Sequence, residues 1–331
     1  MEKPTVSIII NNFNYGQFLG KAIDSALSQS YPFIEVLVVD DGSTDNSREL
    51  IDSYDSKIVS LFKKNEGQAS AFNAGFEACK GEIICFMDAD DVFLNHKIEE
   101  VVKVFNNYSD IGWFFHALHL VDIDTKDIVG KTRVLPSWSQ TKMAEKCNLK
   151  SYMENGKIPF YLPPTSGLCF RRSLLEQIFP LPVTFIKTHA DVYLRSCATW
   201  LGSGYFSNES LTYQGIHQYN TATNINHDIR FDYTGIVNAY LLRAKFPKIR
   251  KLSDRIFAKN LIKHWANKPP NQEYDLFVQK YFALASLSEK ISIYLKTLYY
   301  SLPFRTKYSH QLLPAKATDN ISNSNINKAK A

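Results

Sequence analysis

Ile83-Ile84-Cys85-Phe86-Met87-Asp88-Ala89-Asp90-Asp91 is an apolar run that ends in three acids. A short continuous apolar run reads as a strand buried on both faces. A buried strand ending in carboxylates delivers them to the edge of a sheet. Solubility does not require that arrangement. A hard cation does: Mg²⁺ or Mn²⁺ takes oxygen ligands, reaches a protein through one or two carboxylates and fills its shell with substrate phosphates.

The segments before this run repeat its pattern. Val6 to Ile10 is a β-branched run and predicts a strand. Phe18, Leu19, Ala22, Ile23, Ala26 and Leu27 recur at helical spacing, with Tyr31-Pro32 as the expected stop. Ile34 to Val39 predicts a second strand, and Asn46 with Glu49 predicts a capped helix running to about Tyr54. Ile58 to Phe62 predicts a third strand, then Ala69, Phe72, Asn73 and Phe76 a helix closing at Lys80-Gly81. Such alternation builds a parallel sheet covered by helices on both faces, with right-handed crossovers. Ligands on these sheets bind beyond the carboxyl ends of the strands. Asn11-Asn12, Asp40-Asp41 and Asp88-Ala89-Asp90 each end a strand, so they are expected to meet at one rim. Asp91 is expected at the N-terminus of a helix after Leu94.

Beyond Ile111 the alternation is lost. Trp113 to His116 reads as a strand, Val121 to Arg133 as a hairpin, and Pro159 to Arg172 as a punctuated loop that turns helical. Helices are expected from Ile229 to about Leu302, broken at Pro247 and at Pro269-Pro270. The polar residues 304–331 are expected to form a disordered tail.

The bulk numbers narrow the class. The chain has 331 residues, 45% of them hydrophobic, enough for one large or two modest domains. A net charge of +5 is too weak to argue for a nucleic-acid partner. Five cysteines without a C-x-x-C pattern suit buried thiols in a reducing compartment. Met1-Glu2-Lys3-Pro4 runs straight into a strand, and no apolar stretch approaches the roughly 20 residues of a membrane span. A cytoplasmic protein is expected, with room for peripheral contact on the inner face of the membrane.

Five ordered segments carry a resemblance. Val6-Ser7-Ile8-Ile9-Ile10-Asn11-Asn12-Phe13-Asn14-Tyr15, Val38-Val39-Asp40-Asp41-Gly42-Ser43-Thr44-Asp45, Asn65-Glu66-Gly67-Gln68, Asn73-Ala74-Gly75 and Asp88-Ala89-Asp90-Asp91 resemble a family 2 glycosyltransferase with a GT-A fold. Each segment alone is weak; five in register at strand ends are specific. The resemblance covers roughly residues 4 to 220. It implies a Rossmann-like, mostly parallel central sheet with helices on both faces, followed by a C-terminal helical extension. Residues 1–110 would bind the nucleotide sugar, 111–228 the acceptor, and 229–303 would form the extension.

The same resemblance implies inverting transfer from a nucleoside-diphosphate sugar, UDP-sugar by family habit, with Mn²⁺ or Mg²⁺ as cofactor. Asp41 would accept from the N3–H of the base and Phe13 would offer it a flat face, with Asn11, Asp40 and Gly42 lining the pocket. Gly67 would allow close backbone approach, and Asn73 would reach the ribose. The family often has arginine where Phe72 stands. Asp88 and Asp90 form the D-x-D, Asp90 as metal ligand, Asp88 on ribose or metal-bound water, with Ala89 between them. His217, in Tyr213-Gln214-Gly215-Ile216-His217, matches a family histidine that touches metal or diphosphate.

Thr188-His189-Ala190-Asp191-Val192-Tyr193-Leu194-Arg195 resembles the family's "E-D-x-D-L-x-x-R" segment. Here His189 stands where the catalytic acid is usual. Asp191 is the nearest carboxylate and the first candidate base, with His189 as the alternative. Thr165, Ser166 and Gly167 are expected to line the acceptor side, with Arg171-Arg172 as candidate phosphate partners or solvated surface.

The acceptor would be a saccharide, a lipid-linked sugar or a protein, in polysaccharide or glycoconjugate biosynthesis. Phe277, Tyr281, Leu284, Leu287, Ile291, Tyr294, Leu295, Leu298 and Tyr299 form an apolar stripe beside lysines. It suits packing onto the catalytic domain or a dimer partner, or contact with anionic lipid. A degenerate, binding-only protein is the competing class, because the expected acid is missing at position 189. Nucleotidyl transfer ranks behind both: Asn11-Asn12-Phe13-Asn14-Tyr15-Gly16 lacks the glycines and basic residue that grip a triphosphate.

Overall fold

The structure, a computed structural model, describes residues 3–132, 144–157, 162–217, 229–266 and 272–302. The tail, the end of the hairpin, residues 158–161 and 218–228 and the Pro269-Pro270 break lie outside the described residues.

Strands β1 (Val6–Asn12), β2 (Ile34–Asp40), β3 (Val59–Phe62) and β4 (Ile83–Asp88) alternate with helices α1 (Gly16–Leu27), α2 (Ser47–Asp52) and α3 (Gln68–Ala78). The four strands are parallel in the order β3-β2-β1-β4. Their β-branched runs suit a sheet buried on both faces. Ile8, Ile10, Val36, Val38, Cys85 and Met87 pack on one face with α1, while Ile9, Leu37, Val39, Ile84 and Phe86 pack on the other with α3. Register places Asn11 beside both Val39 and Asp88, and Asn12 beside Asp40. The three polar strand ends therefore share one rim, as the sequence pattern requires.

The later elements extend the same sheet. They are β5 (Val92–Phe93), α4 (Lys97–Asn107), β6 (Trp113–Asp122), β7 (Ile128–Lys131), β8 (Ala144–Cys147), α5 (Lys150–Glu154), β9 (Leu168–Arg171), α6 (Arg172–Leu175), α7 (Ala190–Leu201) and β10 (Gly204–Ile216). The order continues β4-β9-β6-β10-β5, with β7 on β6 and β8 on β10. β9 is antiparallel to both β4 and β6, and β6 and β10 are parallel. The long strands thus all point the same way, and β10 ends on the rim that carries the acids.

Helices α8 (Ile229–Lys245), α9 (Arg250–Ala266), α10 (Gln272–Ala283) and α11 (Leu287–Ser301) follow. A buried ion network joins them: Arg243 donates to Asp254 at 2.5 Å and to Glu289 at 2.9 Å, and the Tyr281 hydroxyl donates to Asp254 at 2.8 Å. No helix among the described residues is long and apolar enough to cross a membrane.

Several local expectations change. α1 ends at Leu27, before Tyr31-Pro32, because Gln29 folds back and donates to the Ser25 carbonyl. Asn46 makes no side-chain cap; Asp45 instead accepts from the Ser47 amide and hydroxyl and from the Gly16 amide. Asp91 caps no helix, since β5 intervenes and α4 starts at Lys97. β9 falls within the segment expected to be punctuated and then helical, yet it lies in the centre of the sheet between β4 and β6. Arg171 and Arg172 are part-buried and clamp the carbonyls of Phe105 and Ile111, and of Cys79 and Gly81. The C-terminal stripe divides, with Phe277 and Tyr281 buried and the rest exposed.

α3 approaches β1 and β2 closely through Gly75, where a Cβ would meet Ile9 at 2.5 Å and Val39 at 3.2 Å. Gly75→Ala adds about 1 kcal/mol of helix propensity, but overpacking a core costs about 1–3 kcal/mol. The variant is expected to be net destabilised in urea unfolding, because two buried β-branched residues cannot give way.

Candidate active site

The rim is built from the ends of β1, β2 and β4. Its first loop is held by Asp40. That carboxylate accepts from Asn12 at 2.8 Å, from the Ser43 hydroxyl at 2.5 Å and from the Ser43 amide at 3.0 Å. Asp40 is thereby spent inside the turn. Asp41, also buried, accepts from Lys63 at 2.6 Å and from the Glu66 and Gly67 amides at 3.1 and 2.7 Å. A carboxylate has about four acceptor positions, so Asp41 keeps one more. Gly42 adopts φ +77°, where a Cβ would strike the Asn65 amide at 2.6 Å. Phe13, 44% exposed on the loop above, keeps an open ring face.

β4 ends in crowded acids. Burial first, then the charges of Asp90 and Asp191, push the Asp88 carboxyl up to about 7. Thr165 and Asn11 hydrogen bonds oppose that rise. Burial, Asp90 and Asp88 hold Asp91 well above the carboxylate range, and it accepts from the Gly215 amide at 3.2 Å. The Tyr15 hydroxyl is raised by burial and by Asp90, Asp88 and Asp91 in turn. Asp90 Oδ2 lies 3.0 Å from His217 Nε2, and the His217 ring stacks on Phe18 at 4.5 Å. Ala89 is buried between the two acids.

The opposing wall is the start of α7. His189 is its N-cap in a left-handed conformation, φ 56° and ψ 39°. Asp191, in the first turn, pairs with Arg195 at 3.2 Å, and Arg195 also donates to the carbonyls of Leu162 and Pro163. Gln68 spans the gap: it accepts from the Ala190 amide at 2.8 Å and lies 3.5 Å from Asp88 and from Thr165. The structure thus brings Asn11, Asp88, Asp90, Asp191, His189 and His217 to one rim.

Other expected residues have different work. Both ends of the Asn73 amide bind the Leu181 backbone, at 2.7 and 2.9 Å, so it is engaged away from the rim. Gly67 does permit close approach, but to the backbone of Lys187, 2.4 Å from a Cβ built there. Thr165, Ser166 and Gly167 are buried and present no open acceptor surface. Ser166 instead accepts from the Asp88 amide at 3.0 Å, and Gly167 fits against Pro163 and His116. They support the acids from beneath. Phe72 is core, 4.6 Å from the Phe86 ring.

The most consequential residue that the sequence reading missed is Lys97. It is wholly buried at the start of α4, donates to the Ser166 carbonyl at 2.7 Å and to Thr212 at 3.3 Å, and sits over the Phe93 ring. A lysine at a core-facing helix position was its one signal. Gln68 and Tyr15 belong to the segments that carry the resemblance, but their residue types give no signal of these contacts.

Among the described residues, no three His, Cys, Asp or Glu side chains converge to enclose an ion by themselves. At the rim the Asp90 carboxylate, hydrogen-bonded to His217, stands beside Asp88, and one or two carboxylates are what a hard cation that shares its shell with phosphate oxygens takes from a protein.

An uncharacterized glycosyltransferase of Nostoc sp. is 39% identical over 219 residues, covering 65% of this chain and 66% of its own. One of Rickettsia prowazekii is 43% identical over 103 residues, 31% of this chain and 32% of its own. The chain therefore spans less than two thirds of these relatives. Among solved structures, residues 1–349 of Staphylococcus aureus TarS in complex with UDP-GlcNAc align with a TM-score of 0.60 and 16% identity, covering 93% of this chain and 92% of that one. A mannosyltransferase of Pyrobaculum calidifontis, with GDP-Man and Mn²⁺, aligns with a TM-score of 0.50 and 14% identity, covering 91% and 89%. These likenesses identify the fold as GT-A-like. The model of "Glycosyl transferase family 2" matches residues 7–179, just over half of the sequence, and the chain belongs to that family.

Proposed function

We propose that the protein is an inverting, metal-dependent glycosyltransferase that moves a hexosyl unit from a nucleoside-diphosphate sugar to a saccharide, lipid-linked or protein acceptor. The work would belong to polysaccharide or glycoconjugate biosynthesis. The observation that carries this reading is the position of Asp88, whose carboxyl feels both Asp90 of the D-x-D and Asp191 of α7. Donor-side acids and a candidate base thus share one site. UDP-sugar is the favoured donor, supported by the UDP-GlcNAc complex of the S. aureus neighbour. Residues 1–110 would hold the donor, 111–228 the acceptor, and 229–303 form an extension. A cytoplasmic placement goes with the acceptor classes proposed.

Asp41 would use its remaining acceptor position for the base N3–H, and Phe13 would stack on the ring. Asn11 and Gly42 would border that pocket. Asp90 and His217 would hold Mn²⁺ or Mg²⁺, with Asp88 behind them. The ion, when bound, neutralises charge that builds on the leaving nucleoside diphosphate. Asp191 would take the proton of the acceptor hydroxyl as its oxygen bonds to the anomeric carbon and the bond to phosphate oxygen breaks on the opposite face. Arg195 fixes that carboxylate against the 162–163 backbone. His189, two residues earlier at the N-cap of α7, is the alternative base.

Asp90→Ala is expected to lower Mn²⁺-dependent release of UDP from UDP-GlcNAc by about 10²-fold or more. Asp191→Asn is expected to lower turnover by about 10²–10⁴-fold while leaving UDP affinity unchanged. Steady-state turnover and calorimetric UDP binding separate the two. Metal-dependent UDP binding without turnover in the unaltered protein, across acceptors of each class, would instead support a binding-only protein.

The raised Asp88 carboxyl has a stability consequence. The fold holds it protonated up to about pH 7, while the unfolded chain ionises near pH 4. Its stabilising contribution is therefore complete below about pH 4 and is lost as pH rises towards 7. In metal-free protein, Asp88→Asn is expected to raise stability at pH 8 and to lose that advantage towards pH 4. Urea unfolding at both pH values measures the difference.

A further inference from the structure

α11 presents its most apolar face outward. Its rotation is set by Glu289, which accepts from Arg243 at 2.9 Å, pairs with Arg250 at 3.2 Å and closes a capping box with Ser286. Ile293 and Thr297 are buried on the same side. With 3.6 residues per turn, the opposite side carries Leu287, Ile291, Tyr294, Leu295, Leu298 and Leu302. These six are between 46% and 75% exposed. A surface helix ordinarily buries such a stripe, and an exposed contiguous patch marks an interaction site.

A pocket of about 520 Å³ opens beside this stripe, between α5, α9 and α11. Lys157, Lys251, Arg255 and Lys296 line it, and no carboxylate does among the described residues. Leu295 and Tyr299 line it too, so it is continuous with the exposed face of α11. Little nearby offsets the charge: Lys296 comes only within 3.8 Å of Asp254, which is already bound by Arg243. Lys259, next to this group, is lowered by burial and by the charge of Arg255.

An apolar stripe bordered by four cations, of which Lys296 alone reaches a carboxylate among the described residues, fits an amphiphile with an anionic head. A second copy fits less well, because a self-complementary contact through the stripe would bring two cationic rims together. The chain's own residues 303–331 carry five Lys and Arg and one Asp, the same sign as the pocket. We propose that α11 and the adjoining cationic pocket dock the protein on an anionic phospholipid bilayer, the stripe entering the interface and the pocket taking a headgroup phosphate. The inference stands apart from the sugar-transfer reading, since none of these residues belongs to the rim.

The test is flotation of the full chain with vesicles of phosphatidylcholine alone or mixed with phosphatidylglycerol. Binding is expected to the mixed vesicles only, and to weaken with salt. Leu298→Glu is expected to abolish it. Lys251→Glu with Arg255→Glu is expected to weaken it about tenfold or more. Both variants should keep the unaltered protein's UDP binding, since the altered side chains are at the surface away from the rim. Absence of flotation, or equal binding by Leu298→Glu, overturns the proposal. So does a two-chain mass in light scattering that Leu298→Glu halves, which would make the face a contact between copies. Inorganic phosphate raising the melting temperature without any vesicle binding would mark a soluble-anion site instead, and equally overturns it.

Discussion

Like-charge repulsion among buried carboxylates is the constraint around which this molecule is arranged. Asp88, Asp90 and Asp91 follow one another at the end of a central strand, and Asp191 faces them from α7. A protein gains no stability from such crowding; burial and mutual charge both oppose ionisation. The cost is eased because Asp88 and Asp91 hold their protons more tightly than free carboxyls do, and a bound cation with phosphate would ease it further. Perturbed acids gathered at a strand-end rim are characteristic of sites that do chemistry rather than of surfaces that only dissolve.

The surrounding structure holds the acids where repulsion would part them. Ser166 accepts from the Asp88 backbone, and Lys97 in turn grips the Ser166 carbonyl from inside the core. A buried lysine is costly unless it is well bonded, and this one has a carbonyl, a hydroxyl and an aromatic face. Gln68 joins the same assembly to α7 by accepting from the Ala190 amide. The Asp40 turn fixes the neighbouring strand end. Residues that looked like ligand contacts in sequence thus divide into those that face the rim and those that brace it.

That division also explains what the sequence could and could not disclose. Strands β1 to β4 and their shared rim were legible because two-sided burial imposes long β-branched runs and parallel topology aligns their ends. β9 was not, since four residues between a proline-rich segment and two arginines carry no period of their own; only pairing with β4 and β6 makes them a strand. Asn73, Ser166 and Gly167 have residue types that suit either ligands or braces. Their partners, Leu181, Asp88 and His116, are remote in sequence, so local reading could not choose. The amphipathic character of α11 was visible, but its rotation was not, because Glu289 is fixed by an arginine 46 residues away.

If the acid cluster is the seat of a divalent cation, then filling it must displace the proton that Asp88 holds near pH 7. Calorimetry of Mn²⁺ with UDP, repeated at neutral pH in buffers of different ionisation heat, measures that proton directly. The account requires Mn²⁺-dependent UDP binding with net proton release that fades as pH rises well above 7. UDP binding that is identical without metal, with heats independent of the buffer, would contradict it.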